Sequence, residues 1–234
     1  MARPKISRSR KRDLNDPDEF VTFWTKFFEF TTKHKVKVAS VLGFIIVLII
    51  VAAVTVYSLK KSEDRAFSLL QQSITKYQTL LKSGDSNKAY LDAGKDFELI
   101  MKKYSERNGG KLASLIYGNM CYAAGDYDKA IVIYKKLLVD FNDEPFLKNL
   151  ILNGLGYSYG AKKDYRNSAE YFERIVTTPD YSFKDEAFFN LGELYAATGD
   201  NDKSINAFKK ILSDHSGSMY TEIVNERVAG HPSG

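Results

Sequence analysis

The chain is poor in the residues that staple, ligate or break. One cysteine, Cys121, stands among 234 residues, and a single thiol cannot close an internal disulfide. An exported part of this chain must therefore be held together by its core alone. The three histidines, His34, His215 and His231, are scattered among non-equivalent positions, and no HxxxH, CxxC or phosphate-binding loop sequence occurs. No metal, cofactor or catalytic constellation is read from such a chain, and it is not expected to be an enzyme. Prolines number five. Apolar and polar residues do not alternate for more than a few positions at a time, which argues against strands. Charge of one sign is also missing from most of the chain. Residues 1–37 hold ten Lys or Arg and five acids, and the rest carries 24 of each sign. The pI near 9.0 thus reports a short basic tail, and no nucleic-acid partner is expected.

What is abundant is a single apolar run, VASVLGFIIVLIIVAAVTVYSL, residues 38–59. As a helix these 22 uncharged residues extend about 33 Å, against about 30 Å of bilayer hydrocarbon. Fourteen are Val, Ile, Leu or Phe, each favouring the bilayer centre by about 0.3–0.6 kcal/mol. A window this long and apolar on all faces is the signature of a membrane span, against a buried core helix of a soluble protein. A cleaved signal peptide has a shorter apolar region and a small-residue cleavage site; Ala52-Ala53-Val54 is a poor one, so an uncleaved anchor at 36–60 is the expectation. The first dozen residues lack acids, as in a mitochondrial presequence, yet show no apolar helical face. The basic excess before the run, against Lys60, Lys61 and Arg65 after it, predicts a cytoplasmic N-terminus and an exported C-terminal part. A single-pass membrane protein is therefore expected.

Residues 1–16 read as a basic, disordered cytoplasmic tail that either lies on anionic lipid or only sets topology. Asp16-Pro17-Asp18-Glu19 has the chemistry of a helix start. Over 17–35, Phe20, Phe23, Trp24, Phe27 and Phe28 fall at i, i+3, i+4, i+7 and i+8, one stripe of an amphipathic helix. Such a helix either lies at the membrane interface or docks a partner membrane protein.

Beyond Lys61 the pattern repeats. Aligned on Gly118, Gly156 and Gly192, three segments place Cys121, Tyr159 and Tyr195 at offset 3. Ala130, Ser168 and Ser204 follow at 12, Tyr134, Phe172 and Phe208 at 16, and Leu137, Ile175 and Ile211 at 19. This resembles the tetratricopeptide repeat, with its bulky residue, Leu-Gly, Tyr, and then a small residue and an aromatic on a second helix. The third segment fits with Phe188, Leu191, Gly192 and Tyr195, and the second with Leu152, Leu155, Gly156 and Tyr159. The first departs, with Ser114, Tyr117 and Cys121, the last read as a buried structural thiol. Ala93, Phe97 and Ile100 mark the second helix of a degenerate earlier copy. The expected fold is an all-α right-handed solenoid at 62–230, with repeats at about 62–108, 111–142, 145–179 and 185–215 and a capping helix at 218–228. The glycine should let paired helices approach, the small residue should sit opposite it, and the aromatic should fill the gap to the next repeat. Gly125-Asp126, Lys163-Asp164 and Gly199-Asp200 mark the turns. Surplus length belongs in inter-repeat loops at 142–145 and 178–182, and 231–234 reads as a disordered end.

By the same resemblance, the first helices line a binding groove with Leu112, Leu115, Asn119 and Tyr122, then Leu150, Asn153 and Tyr157, then Phe189 and Glu193. These residues either bind extended, partly apolar peptide or merely pack and hydrate. Tail, uncleaved span and exported repeat domain together resemble the YfgM family. That resemblance implies a single-pass protein of the bacterial inner membrane with a periplasmic domain, an ancillary subunit of the SecYEG translocon working beside periplasmic chaperones on exported polypeptides. A scaffold for cell-envelope assembly or division is the other reading.

Overall fold

The computed structural model describes residues 19–82, 84 and 86–230. The basic tail, the proposed helix start at Asp16, Pro17 and Asp18, and the terminal His231-Pro-Ser-Gly234 lie outside the described residues. Among those described, every regular element is a helix. The chain divides into two units, residues 1–60 and 61–234.

In the first unit, α1 (Glu19–Lys33) carries an exposed aromatic stripe of Phe23, Trp24, Phe27, Phe28 and Phe30. Its rings touch one another along the helix, with Trp24 edge-on to Phe27 at 5.7 Å. Helix α2 (Lys35–Lys82) begins after His34. Its apolar part has mean hydropathy 2.9 and no buried residue, and is long enough to cross a membrane. Helix α2 continues through Lys60 and Lys61 to Lys82, because LKKSEDRAF holds neither glycine nor proline and its residues tolerate a helix.

The second unit is built of helix pairs: residues 61–82 of α2 with α3 (Ser86–Lys103), α4 (Asn108–Ala123) with α5 (Tyr127–Asp140), α6 (Pro145–Ala161) with α7 (Tyr165–Thr177), and α8 (Lys184–Ala197) with α9 (Asn201–Asp214); α10 (Thr221–Ala229) follows. Val224 of α10 is fully buried against Phe208 and Ile211, so α10 caps the stack. Neighbouring pairs share one core that runs from Ala66 and Leu70 through Tyr134, Leu155 and Phe172 to Leu191. The fold is thus an all-helical array of tetratricopeptide-like repeats.

The register glycines hold this array together. A Cβ built on Gly118 would lie 2.8 Å from the Tyr134 ring, and one on Gly156 would lie 2.7 Å from Phe172. Gly192 stands in the same relation to Phe208. The space is therefore taken by the aromatic of the same pair, and the helices meet through that ring. A Cβ built on Gly154 of the following pair would likewise lie 2.8 Å from the Tyr134 ring, so that ring bridges two repeats as well. Opposite the glycines, Ser168 Oγ donates to the Gly156 carbonyl (2.7 Å) and Ser204 Oγ to the Gly192 carbonyl (2.8 Å).

The turns have matching backbones. Gly125 (φ 81°), Lys163 (φ 63°) and Gly199 (φ 83°) are left-handed. The next residue caps the second helix: Asp126, Asp164 and Asp200 accept from the backbone N–H of Lys129, Asn167 and Lys203. Surplus length falls between α5 and α6 and between α7 and α8. The second of these loops is tied down by fully buried Asn149, whose Nδ2 donates to Thr178 Oγ1 (3.0 Å) and the Ser182 carbonyl (3.1 Å).

The α4–α5 pair departs from the pattern in compensated ways. Where later repeats place tyrosine, buried Cys121 leaves room for Tyr90 of α3, whose hydroxyl reaches Asp126 Oδ2 at 2.9 Å and lies 3.7 Å from Cys121 Sγ. Where a leucine is expected, Tyr117 stacks on Phe97 (6.0 Å) and donates to Glu98 Oε1 (2.9 Å). Lys129 Nζ donates to both Glu98 (2.6 Å) and Tyr117 (2.8 Å). The α4 N-terminus has no cap of its own. Glu63 of α2 supplies one, accepting from Gly109 N at 2.8 Å and Asn108 N at 3.2 Å, a favourable place for a carboxylate.

Candidate functional site

Helices α4, α6 and α8 present three rows of side chains at offsets −3, +1 and +4 from the register glycine, one face of a helix. The −3 row is Leu115, Asn153 and Phe189. Leu115 and Asn153 are buried in the array and offer little surface. Asn153 Oδ1 has no hydrogen-bond partner among the described residues. Phe189 lies flat against Tyr220, with ring centroids 4.4 Å apart, and meets Phe208 at 6.1 Å. It is engaged by the capping segment.

The +1 row is Asn119, Tyr157 and Glu193. Asn119 is exposed, but its Oδ1 accepts from the Tyr134 hydroxyl at 2.5 Å, leaving its amide N–H groups as donors. Half-buried Tyr157 donates to Glu186 Oε1 (2.5 Å), and its hydroxyl accepts from Asn190 Nδ2 (3.0 Å). That Nδ2 also reaches the Glu186 carbonyl at 2.8 Å. Glu193 pairs with Arg227 of α10 at 3.3 Å. The +4 row is Tyr122, Gly160 and Ala196. Tyr122 is exposed, with its ring 5.6 Å from Tyr127 and 6.4 Å from Tyr157. Of the flanking positions, Leu112 is exposed and Leu150 packs against the core.

Tyr122, Tyr157 and Glu193 do come together. With Gly160, Asn190 and Leu194 they line a cleft of about 360 Å³. Burial raises the phenol pKa of Tyr157, and its bond to the Glu186 carboxylate raises it further. Tyr122 is raised by burial and then by Tyr127. Both therefore stay neutral near neutral pH. The one serine lining the cleft, Ser168, is buried and committed to the Gly156 carbonyl. Aromatic walls, amides and a carboxylate rim suit non-covalent binding.

Glu186, Asn190 and Arg227 were not among the expected groove residues. Glu186, Asn190 and Glu193 fall at i, i+4 and i+7, so their shared face was legible in the spacing. The meeting of Arg227 with Glu193 had no such signal, because 34 residues separate them.

No curated protein matches the sequence. Among solved structures, BtubC (BKLC) from P. vanneervenii is similar, with 17% identity and a TM-score of 0.46 over 78% of this chain and 92% of that one. The family model described as a tetratricopeptide repeat-like domain matches residues 37–229. That span takes in the apolar helix, every helix pair and the cap, and the chain belongs to this tetratricopeptide repeat-like family.

Proposed function

We propose that the protein is a membrane-anchored, protein-binding adaptor at the Sec translocon, with its repeat domain in the periplasm and its N-terminus in the cytoplasm of a bacterial inner-membrane protein. Arrays of this kind typically hold other proteins and are not catalysts. The apolar part of α2 provides the anchor, and the basic excess ahead of it favours the cytoplasmic side. The observation that carries the binding reading is the cleft between Tyr122 and Glu193, the open part of the face built by the first helices. Its occupant is an extended, partly apolar stretch of an exported polypeptide. SecYEG subunits and periplasmic chaperones are the neighbouring partners.

A photo-crosslinking side chain at exposed Tyr122, in the full chain and in intact cells, tests this. Capture of translocon subunits or exporting chains is the expected result. Capture of cell-wall enzymes without translocon subunits replaces the reading with an envelope-assembly scaffold. Protease protection tests the orientation: the repeat domain should be cleaved only from the periplasmic side.

A further inference from the structure

The three repeats differ at one position of the binding face. At offset +4 the first carries Tyr122, whereas the second carries Gly160 and the third Ala196. The cleft lies where that larger side chain is missing, bounded by Tyr122 on one side and by Leu194 and Ala197 on the other, with the Tyr157 and Phe172 rings between them. Gly160 is not required by its own backbone, since its φ is not positive. A Cβ there would meet only Ser168 Oγ at 3.2 Å and Ser168 Cβ at 3.9 Å. A side chain at this position therefore meets no backbone and needs only Ser168 Oγ to give by a few tenths of an ångström.

We infer that the vacancy is a socket for one aromatic side chain on an extended peptide, with a basic residue beside it; this rests on reading the face as a peptide groove. The rings around the vacancy already follow one another, Tyr122 to Tyr157 at 6.4 Å and Tyr157 edge-on to Phe172 at 5.5 Å. An inserted ring continues that series at the spacing aromatic pairs favour. The basic neighbour follows from the rim. Glu186 and Glu193 stand there with one guanidinium, Arg227, paired to Glu193. A second cation is attracted to that excess and a carboxylate is repelled. Asn190 spends its Nδ2 on Tyr157 and the Glu186 carbonyl, which leaves its Oδ1 as an acceptor for a peptide N–H.

The test uses the full chain in lipid nanodiscs and three short fluorescein-labelled Gly-Ser peptides with Trp-Lys, Ala-Lys or Trp-Glu at the centre. The Trp-Lys peptide should bind at least about tenfold tighter than the Ala-Lys peptide, the effect of burying one aromatic ring, and tighter than the Trp-Glu peptide. Gly160→Tyr restores the missing side chain and should abolish the difference. Ala197→Phe blocks the same cleft from an exposed position and serves where the first variant unsettles Ser168. Equal binding of the Trp-Lys and Ala-Lys peptides, no binding of either, or a preference that both variants leave intact overturns the socket. Equal binding of the Trp-Glu peptide overturns its basic half. None of these outcomes touches the groove reading, which stands or falls on the crosslinks from Tyr122.

Discussion

Ser168 Oγ donates 2.7 Å to the carbonyl oxygen of Gly156, and the next repeat makes the same bond between Ser204 and Gly192. In the first repeat Ala130 stands at the equivalent place, so the site accepts a methyl group without a hydroxyl. Ser168→Ala should therefore fold normally and lose about 1 kcal/mol, the net worth of one buried hydrogen bond. Urea unfolding of the solubilised protein checks this. Ser168→Val, which adds volume against the facing helix, should cost more.

Gly156→Ala should be the more damaging change. Its Cβ would lie 2.7 Å from the Phe172 ring, and overpacking of this kind costs about 1–3 kcal/mol. Phe172→Leu should recover part of the loss when combined with Gly156→Ala, although alone it removes core volume. A double-mutant cycle measures that coupling, since the two positions touch.

The turns within the α4–α5, α6–α7 and α8–α9 pairs share a left-handed residue, and of these only the second uses a side chain there, Lys163 at φ 63°. Lys163→Gly should stabilise the protein or leave it unchanged, because relief of αL strain of about 1 kcal/mol is opposed by glycine's freedom in the unfolded chain. Gly125→Ala and Gly199→Ala should destabilise, since there the strain is introduced. Thermal midpoints of the three variants decide the matter.

Asp164 is held below its ordinary carboxyl range by hydrogen bonds from the side chain and then the backbone of Asn167, and Asp200 likewise by Lys203. A carboxyl lowered in the folded state stabilises the protein at pH above its unfolded value of about 3.9. That contribution is lost as pH falls through the lowered folded value. Stability should therefore decline on acidification below about pH 4. Asp164→Asn keeps a good cap without the titration, so its stability should fall less steeply over that window.

Cys121 is fully buried, and burial pushes its thiol pKa up despite the hydrogen bond from Tyr90. Native protein should resist iodoacetamide, and urea-unfolded protein should label readily, because the thiolate is the reacting species. Tyr90→Phe should leave native labelling slow, since access is closed by packing and not by that hydroxyl.

Much of this was legible along the chain because it depends on near neighbours. The apolar run of 38–59, the glycine register and the Gly-Asp or Lys-Asp turns are statements about spacing within one or two helices. What spacing leaves open is what stands opposite. Helix α2 runs on past Lys60 and Lys61, because the change from apolar to charged residues marks an environment, whereas a helix ends only at a breaker. Leu115 and Asn153 share a helix face with Tyr122 and Tyr157, yet they lie beneath the surface that those rings form.

The sequence by itself determined a helical repeat array and a helix apolar enough to cross a membrane, because periodicity and length decide both. Only the tertiary structure decided which inward-facing residues remain free. Phe189 and Glu193 are taken up by Tyr220 and Arg227, Asn119 by Tyr134, and the open space falls at Gly160. Those outcomes depend on contacts between residues distant in the chain, where burial and hydrogen bonding are settled by the partner across the interface and not by the residue's own place in the repeat.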